Sequence, residues 1–189
     1  MKISEIEYTP NPNAVKFILS EALTPFGITA EFHSIEEAES VPLAKKIFSI
    51  ENVISLYYTD KWLTVTQNGE SDWNELLREI AAPIRESTIE DAALTGYTPA
   101  NGGAPIEFEG QGLDDERMPY IRDLIAYEIL PFLQGDGGGL QIKALVNNQL
   151  FIRYEGACGT CPASSTGTLM AIENLLQMEV DPDLECIAI

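Results

Sequence analysis

The stretch Gln149-Leu150-Phe151-Ile152-Arg153-Tyr154-Glu155-Gly156-Ala157-Cys158-Gly159-Thr160-Cys161-Pro162 decides how the second half of the chain folds. Its first six residues are β-branched and aromatic enough for a strand. Gly156, Ala157 and Gly159 keep the following turn small, and Pro162 suits the first position of a helix, where its missing N–H costs nothing. The string therefore reads as strand, tight thiol-bearing turn, helix. Upstream, residues 140–146 form a second strand, and Asn147-Asn148 between the two tolerates positive φ. A helix is predicted over residues 115–133, with Met118, Ile121, Leu124, Ile125 and Ile129 as its apolar stripe and acids at 114–116 favouring its N-terminal dipole. Asp136-Gly137-Gly138-Gly139 stops it. Downstream, a helix over residues 162–178 turns Leu169, Ile172, Leu175 and Leu176 inward, and residues 184–189 supply a closing strand. Cys186 then falls in that strand as a buried residue.

The first half repeats the theme without cysteine. Strands are predicted at residues 14–19 and 53–58, and Lys61-Trp62-Leu63-Thr64-Val65-Thr66 alternates as a third, joined to the second by a tight turn at Thr59-Asp60. A short helix covers residues 42–48. Trp73, Leu76, Leu77, Ile80 and Ile84 fall at helical spacing, with Ser71 as the predicted N-cap and Pro83 expected to kink or end the helix. Residues 87–113 break any period with Gly96, Pro99, Asn101-Gly102-Gly103, Pro105 and Gly110-Gln111-Gly112. The expected fold class is α+β: two small α/β-sandwich domains, each a short sheet packed against helices, joined by a Gly/Pro-rich linker. The domains are residues 1–86 and 114–189, with a flexible linker at 87–113.

Composition narrows the function. The chain has 189 residues, 45% of them apolar, enough to bury two modest cores. A formal charge of −19, spread along the chain, repels phosphate backbones, so no nucleic-acid partner is expected. No apolar run approaches the roughly 20 residues of a membrane span, and the first residues lack the pattern of a signal or transit peptide. The cytoplasm is the expected location. Three cysteines, an odd number, do not make a disulfide framework; in a reducing compartment a close pair is metal-binding or redox-active. His33, the single histidine, has no evident partner and reads as solvated or packed rather than catalytic.

The pair Cys158 and Cys161 is the candidate site. A helix starting at Pro162 puts Cys161 at or beside its N-cap, where unpaired N–H groups and the dipole stabilise a thiolate, and the small residues let amides approach sulfur. Ser164, Ser165, Thr166 and Thr168 read as capping or solvated groups. A cubane cluster or a tetrahedral zinc wants four ligands, and this loop supplies two. Cys186 reads as a small core residue rather than a ligand. The simplest completion is a twofold dimer, each chain giving Cys158 and Cys161 to one shared centre.

With those residues in view, the second domain resembles the NifU-like C-terminal domain of the Nfu iron–sulfur scaffold proteins. The resemblance rests on Leu130-Pro131-Phe132-Leu133-Gln134-Gly135-Asp136-Gly137-Gly138 and on Glu155-Gly156-Ala157-Cys158-Gly159-Thr160-Cys161-Pro162-Ala163-Ser164-Ser165, continued by Thr168-Leu169 and Ile172-Glu173. The first domain resembles the Nfu N-terminal domain through Thr9-Pro10-Asn11-Pro12-Asn13-Ala14-Val15-Lys16-Phe17 and Pro42-Leu43-Ala44-Lys45-Lys46-Ile47-Phe48. Gly139, where an acidic residue often stands, and the extra thiol Cys186 are departures from the pattern. The resemblance implies a non-enzymatic carrier. It would bind a 4Fe–4S cluster between two chains through Cys158 and Cys161, receive it from upstream assembly proteins and transfer it to apo-proteins, with zinc as an adventitious occupant.

Thiol–disulfide exchange is the rival from another class, since strand, C-x-x-C and helix occur in that order in thioredoxin-like folds. Too little chain is expected after Cys161 for the helix and hairpin that complete such a fold. Gly137-Gly138-Gly139 follows a helix instead of leading from strand to helix, which argues against nucleotide binding.

Overall fold

The computed structural model describes residues 1–25, 27–97, 107–161 and 167–189. The chain divides into two compact units, Met1–Gly103 and Ala104–Ile189. Each is a sheet packed against helices, as the fold class expected.

In the first unit five strands, β1 (Ile3–Tyr8), β2 (Ala14–Leu19), β3 (Thr29–Phe32), β4 (Val53–Thr59) and β5 (Trp62–Gln67), form one antiparallel sheet in the order β1-β2-β5-β4-β3. Alternate residues of β2, β4 and β5, among them Phe17, Leu19, Leu56, Tyr58, Leu63 and Val65, are buried in one core with Ile47 of α1 (Pro42–Phe48) and Ile80 and Ile84 of α2 (Trp73–Glu86). Edge strand β1 was not foreseen, because its acids interrupt the apolar signal; Glu7 opposite Lys16 pairs with that buried ammonium at 2.7 Å. The short β3 was also missed. Asp72, not Ser71, caps α2, its carboxylate accepting from the Asn74 amide at 2.9 Å. Ser71 is occupied elsewhere: its hydroxyl accepts from Asn52 and its amide donates to the Gln67 side chain. Pro83 does not end α2, which runs on to Glu86, because a proline so near the helix end removes little of the hydrogen-bond ladder.

The described ends of the interval read as a linker are packed. Ala92 is buried, and the Tyr97 hydroxyl donates to the Glu31 carbonyl at 2.9 Å and accepts from the Glu31 amide at 3.1 Å. On the other side Phe108 lies against Phe151, and the Gly110 amide donates to Lys143. Pro99, Asn101-Gly102-Gly103 and Pro105 lie outside the described residues.

In the second unit the long predicted helix is three pieces: α3 (Met118–Leu124), a π-turn over Ile125–Ile129, and α4 (Leu130–Gly135). Pro131 lacks the N–H that would continue an α-helical ladder, and its ring crowds the carbonyl four residues back, so the chain widens there. The start is later than expected because Asp115 folds back on Arg117, accepting from its amide and from its Nε, each at 2.9 Å. β6 (Gly138–Val146) and β7 (Gln149–Gly156) form the predicted hairpin, with Asn147 and Asn148 at φ 50° and 61°. α5 (Gly167–Glu179) crosses back, and β8 (Glu185–Ala188) joins β7 in parallel. In α5 only Ile172 and Leu176 are fully buried; Leu169 and Leu175 are partly so.

Arg117 fastens one end of this unit. Besides Asp115, its Nη1 donates to Asn148 Oδ1 at 3.0 Å and to Asp181 Oδ2 at 2.8 Å, so one side chain joins the start of α3, the hairpin turn and the exit of α5. Donation from the guanidinium, aided by the Arg117 amide, holds the Asp115 carboxyl down to about 2. A depressed carboxyl stabilises the fold above its unfolded value, near 3.8, and the contribution is lost as pH falls through about 2. Thermal unfolding midpoints should therefore drop from about pH 4 to pH 2, and Arg117→Gln should flatten that part of the profile while lowering the midpoint at neutral pH.

Candidate metal centre

β7 leaves the sheet at Gly156, whose φ of 60° turns the chain without a side-chain clash. Two overlapping turns follow. The Gly159 amide donates to the Gly156 carbonyl at 3.1 Å, and the Cys161 amide donates to the Cys158 carbonyl at 3.4 Å. Cys158 and Cys161 are thus the first and last residues of one β-turn, whose Cα atoms lie within about 7 Å.

The floor of this loop is the Asp136–Gly139 segment. Gly138 pairs with Gly156 and Gly139 with Glu155 at the start of the hairpin, and the Ala157 amide donates to the Gly137 carbonyl at 3.2 Å. A Cβ at Gly138 would stand 2.5 Å from the Glu155 carbonyl oxygen, 2.6 Å from Cys158 Sγ and 2.8 Å from the Cys158 amide nitrogen. Cys158 rests directly over bare backbone. Gly137, at φ 81°, performs the helix stop read from sequence; the role of Gly138 is separate and was not foreseen. The only hint was a second glycine placed after the one the stop requires.

Cys158 and Cys161 are 6% and 9% exposed. The amides of Ala157, Gly159 and Cys161 donate to the carbonyls of Gly137, Gly156 and Cys158. Pro162 as a helix start, and Ser164, Ser165 and Thr166 as caps, lie outside the described residues. Tyr154, also unforeseen, packs against the core cluster that contains Cys158, and its buried hydroxyl has no hydrogen-bond partner among the described residues. Burial first, then the nearby Cys186 and Cys158 sulfurs, push that phenol upward.

Cys186 sits apart, as a buried strand residue opposite Leu150. Its amide donates to Glu173 Oε2 on α5 at 2.9 Å. Burial, with Glu173 adding to it, pushes the thiol up to about 12, and a protonated thiol is a poor metal ligand. Among the described residues no three His, Cys, Asp or Glu side chains gather as a metal-binding group. His33 lies in the first unit, 3.3 Å from Glu31 and partly exposed. No helix among the described residues is long and apolar enough to cross a membrane.

The loop holds two thiols at the ends of one turn on a glycine floor, in the same core as a buried hydroxyl without a hydrogen-bond partner among the described residues. Thiols are the donor type that thiolate-ligated metals take, and a four-ligand shell needs two more than this loop holds.

Family models match both units. The one described as "Scaffold protein Nfu/NifU N terminal" matches residues 3–91, and "NifU-like domain" matches residues 121–187. The human "NFU1 iron-sulfur cluster scaffold homolog, mitochondrial" is 33% identical over 94% of this chain and 67% of its own length. "NifU-like protein 5, mitochondrial" of Arabidopsis thaliana is 30% identical over 91% of this chain, which spans 62% of that relative. The solved structure of protein SAV1430 from Staphylococcus aureus is 24% identical, with TM-score 0.41, over 44% of this chain and 99% of that one. The chain belongs to the Nfu/NifU-like family.

Gly138→Ala should force the loop off its floor. Overpacking of this kind costs about 1–3 kcal/mol, measurable as a lower urea midpoint. The same variant should lose most of the thiolate absorption that cobalt(II) gives with the native loop.

Proposed function

We propose that the protein carries an iron–sulfur cluster of the 4Fe–4S type as cargo, held between two copies by Cys158 and Cys161 of each, and passes it to apo-proteins. The observation that carries this reading is the isolated pair: two sulfurs at the ends of one turn, with no third ligand gathered beside them among the described residues. A cubane needs four thiolates, and two copies related by a twofold axis supply four. The human relative is named as an iron–sulfur cluster scaffold homologue, and this chain matches both the Nfu/NifU N-terminal and the NifU-like family models.

Binding and release follow from ligand exchange. Thiolates of an incoming chain replace Cys158 and Cys161 at iron, each departing sulfur taking up a proton, and no electron changes hands. Separating the two copies halves the protein's hold on the cargo at once, which suits delivery. The protein acts by binding, not by catalysis. Zinc would use the same four sulfurs. The thiol-bearing part is residues 114–189, while residues 1–86, which lack cysteine, are left for contacts with upstream assembly proteins or apo recipients. The acidic surface favours partners with basic patches. Free thiols without a disulfide suit a reducing compartment, the cytoplasm in our reading.

Thiol–disulfide exchange requires an exposed nucleophilic sulfur, and the burial of both loop cysteines disfavours it. Slow reaction of the empty protein with a model disulfide is expected, whereas rapid turnover would favour that rival. Anaerobic reconstitution with iron and sulfide should give a dimer holding about four irons per pair of chains. Cys158→Ser or Cys161→Ser should abolish it, and Cys186→Ser should retain most of it. A fully loaded monomer, or a full cluster in either loop variant, would overturn the assignment.

A further inference from the structure

α5 is apolar on two faces. Ile172 and Leu176 are buried in the core, as an amphipathic helix requires. On the outer side Met170, Asn174 and Met178 recur at helical spacing, with Ala171 and Leu175 beside them. Met170 is 59% exposed and Met178 77%. A shallow depression lined by Ala171, Asn174, Leu175, Gln177 and Met178 runs along this side. The stripe carries no charge. The helix has only two charged residues, Glu173, turned to the Cys186 amide, and Glu179 at its end.

We propose that this stripe is where a second copy of the chain docks, α5 against α5, when the two thiol pairs meet; the inference rests on the shared-cluster reading above. Three observations favour a second copy over another occupant. First, the stripe is tethered to the incomplete site: α5 begins at Gly167, six residues after Cys161 along the chain. A twofold axis through a centre bound by Cys158 and Cys161 of both chains therefore passes close to the start of α5. Second, a chain of net charge −19 repels its own copy over most of its surface. An uncharged apolar strip is where two such chains approach without that repulsion. Third, the strip matches itself. A twofold interface brings the same patch from both chains together, so a patch without charge needs no complementary partner surface.

The self-matching gives a sharp test. Near a twofold axis Met170 faces its own counterpart, and its exposure lets a charged side chain replace it without disturbing the core. Full-length Met170→Glu and Met170→Lys are prepared separately, checked for native circular dichroism, and reconstituted anaerobically alone and as an equal mixture. Iron and sulfide are the probe, with sedimentation mass and iron per chain as readouts. Each variant alone should dimerise about tenfold or more weakly than the parent, since like charges then meet across the interface. Each should stay largely monomeric and hold little iron. The mixture, in which Glu meets Lys, should recover dimers holding at least half the parent's iron. The proposal is overturned if either variant alone loads and dimerises like the parent, or if the mixture does no better than its components. It is also overturned if variant dimers load fully yet fail to deliver iron–sulfur cluster to an apo-protein, because the stripe then belongs to the recipient. A parent chain that forms no loaded dimer counts against the shared-cluster reading instead, so the two failures are distinguishable.

Discussion

The contact between Cys158 and the backbone of Gly138 is the constraint around which the second unit is arranged. A Cβ at position 138 would stand 2.5 Å from the Glu155 carbonyl oxygen and 2.6 Å from the Cys158 sulfur, too close for any side chain there. For that contact to form the hairpin must begin at Gly138 opposite Gly156, the helix before it must stop within one residue, and β7 must release the chain immediately afterwards. Gly137 and Gly156, both at positive φ, meet the second and third demands. The register of β6 on β7 satisfies the first. The thiol turn is therefore an extension of the sheet, fixed by ladder pairing on one side and by an i to i+3 hydrogen bond within itself. The sheet itself places the turn; in the proposed role that prior placement lowers the ordering entropy binding would otherwise have to overcome.

The rest of the unit keeps competing ligands away. Cys186 is the one other thiol, and two features keep it protonated: burial in the core, and the Glu173 carboxylate, held against the Cys186 amide and close enough to oppose ionisation. A third accessible thiolate would let one chain hold a metal more tightly and would weaken the dependence on a second copy. Under the proposed shared cluster, restricting each chain to two donors makes affinity a property of the pair, and hence adjustable through protein concentration and partner contacts.

Much of this organisation could be read from the residues alone. β2, β4, β5 and the β6–β7 hairpin carry their own alternation, and α1 matches its predicted span because apolar spacing and Pro42 mark it locally. What escaped depends on partners far along the chain. β1 is a strand because β2 offers it Lys16 and a free edge, not because of its own composition. The choice of Asp72 over Ser71 as a cap was decided by Asn52 and Gln67 engaging the serine first. In the long helix, the apolar stripe correctly chose the buried side, but the π-turn answers to Pro131 and the late start to Arg117. At the site the two thiols were legible from spacing and small neighbours. The packing role of Gly138, the Glu173 bond to Cys186 and the buried Tyr154 hydroxyl were not, since each is a contact between segments that no local pattern announces.

Arg117 and the thiol loop stand at opposite ends of β7, one at the Asn148 turn and the other beyond Gly156. Fastening and cargo handling are thereby separated by the length of a strand. Drift at the ionic end alters how long the unit survives, while drift at the sulfur end would alter the proposed cargo site. Selection can tune durability and chemistry in this small unit almost independently.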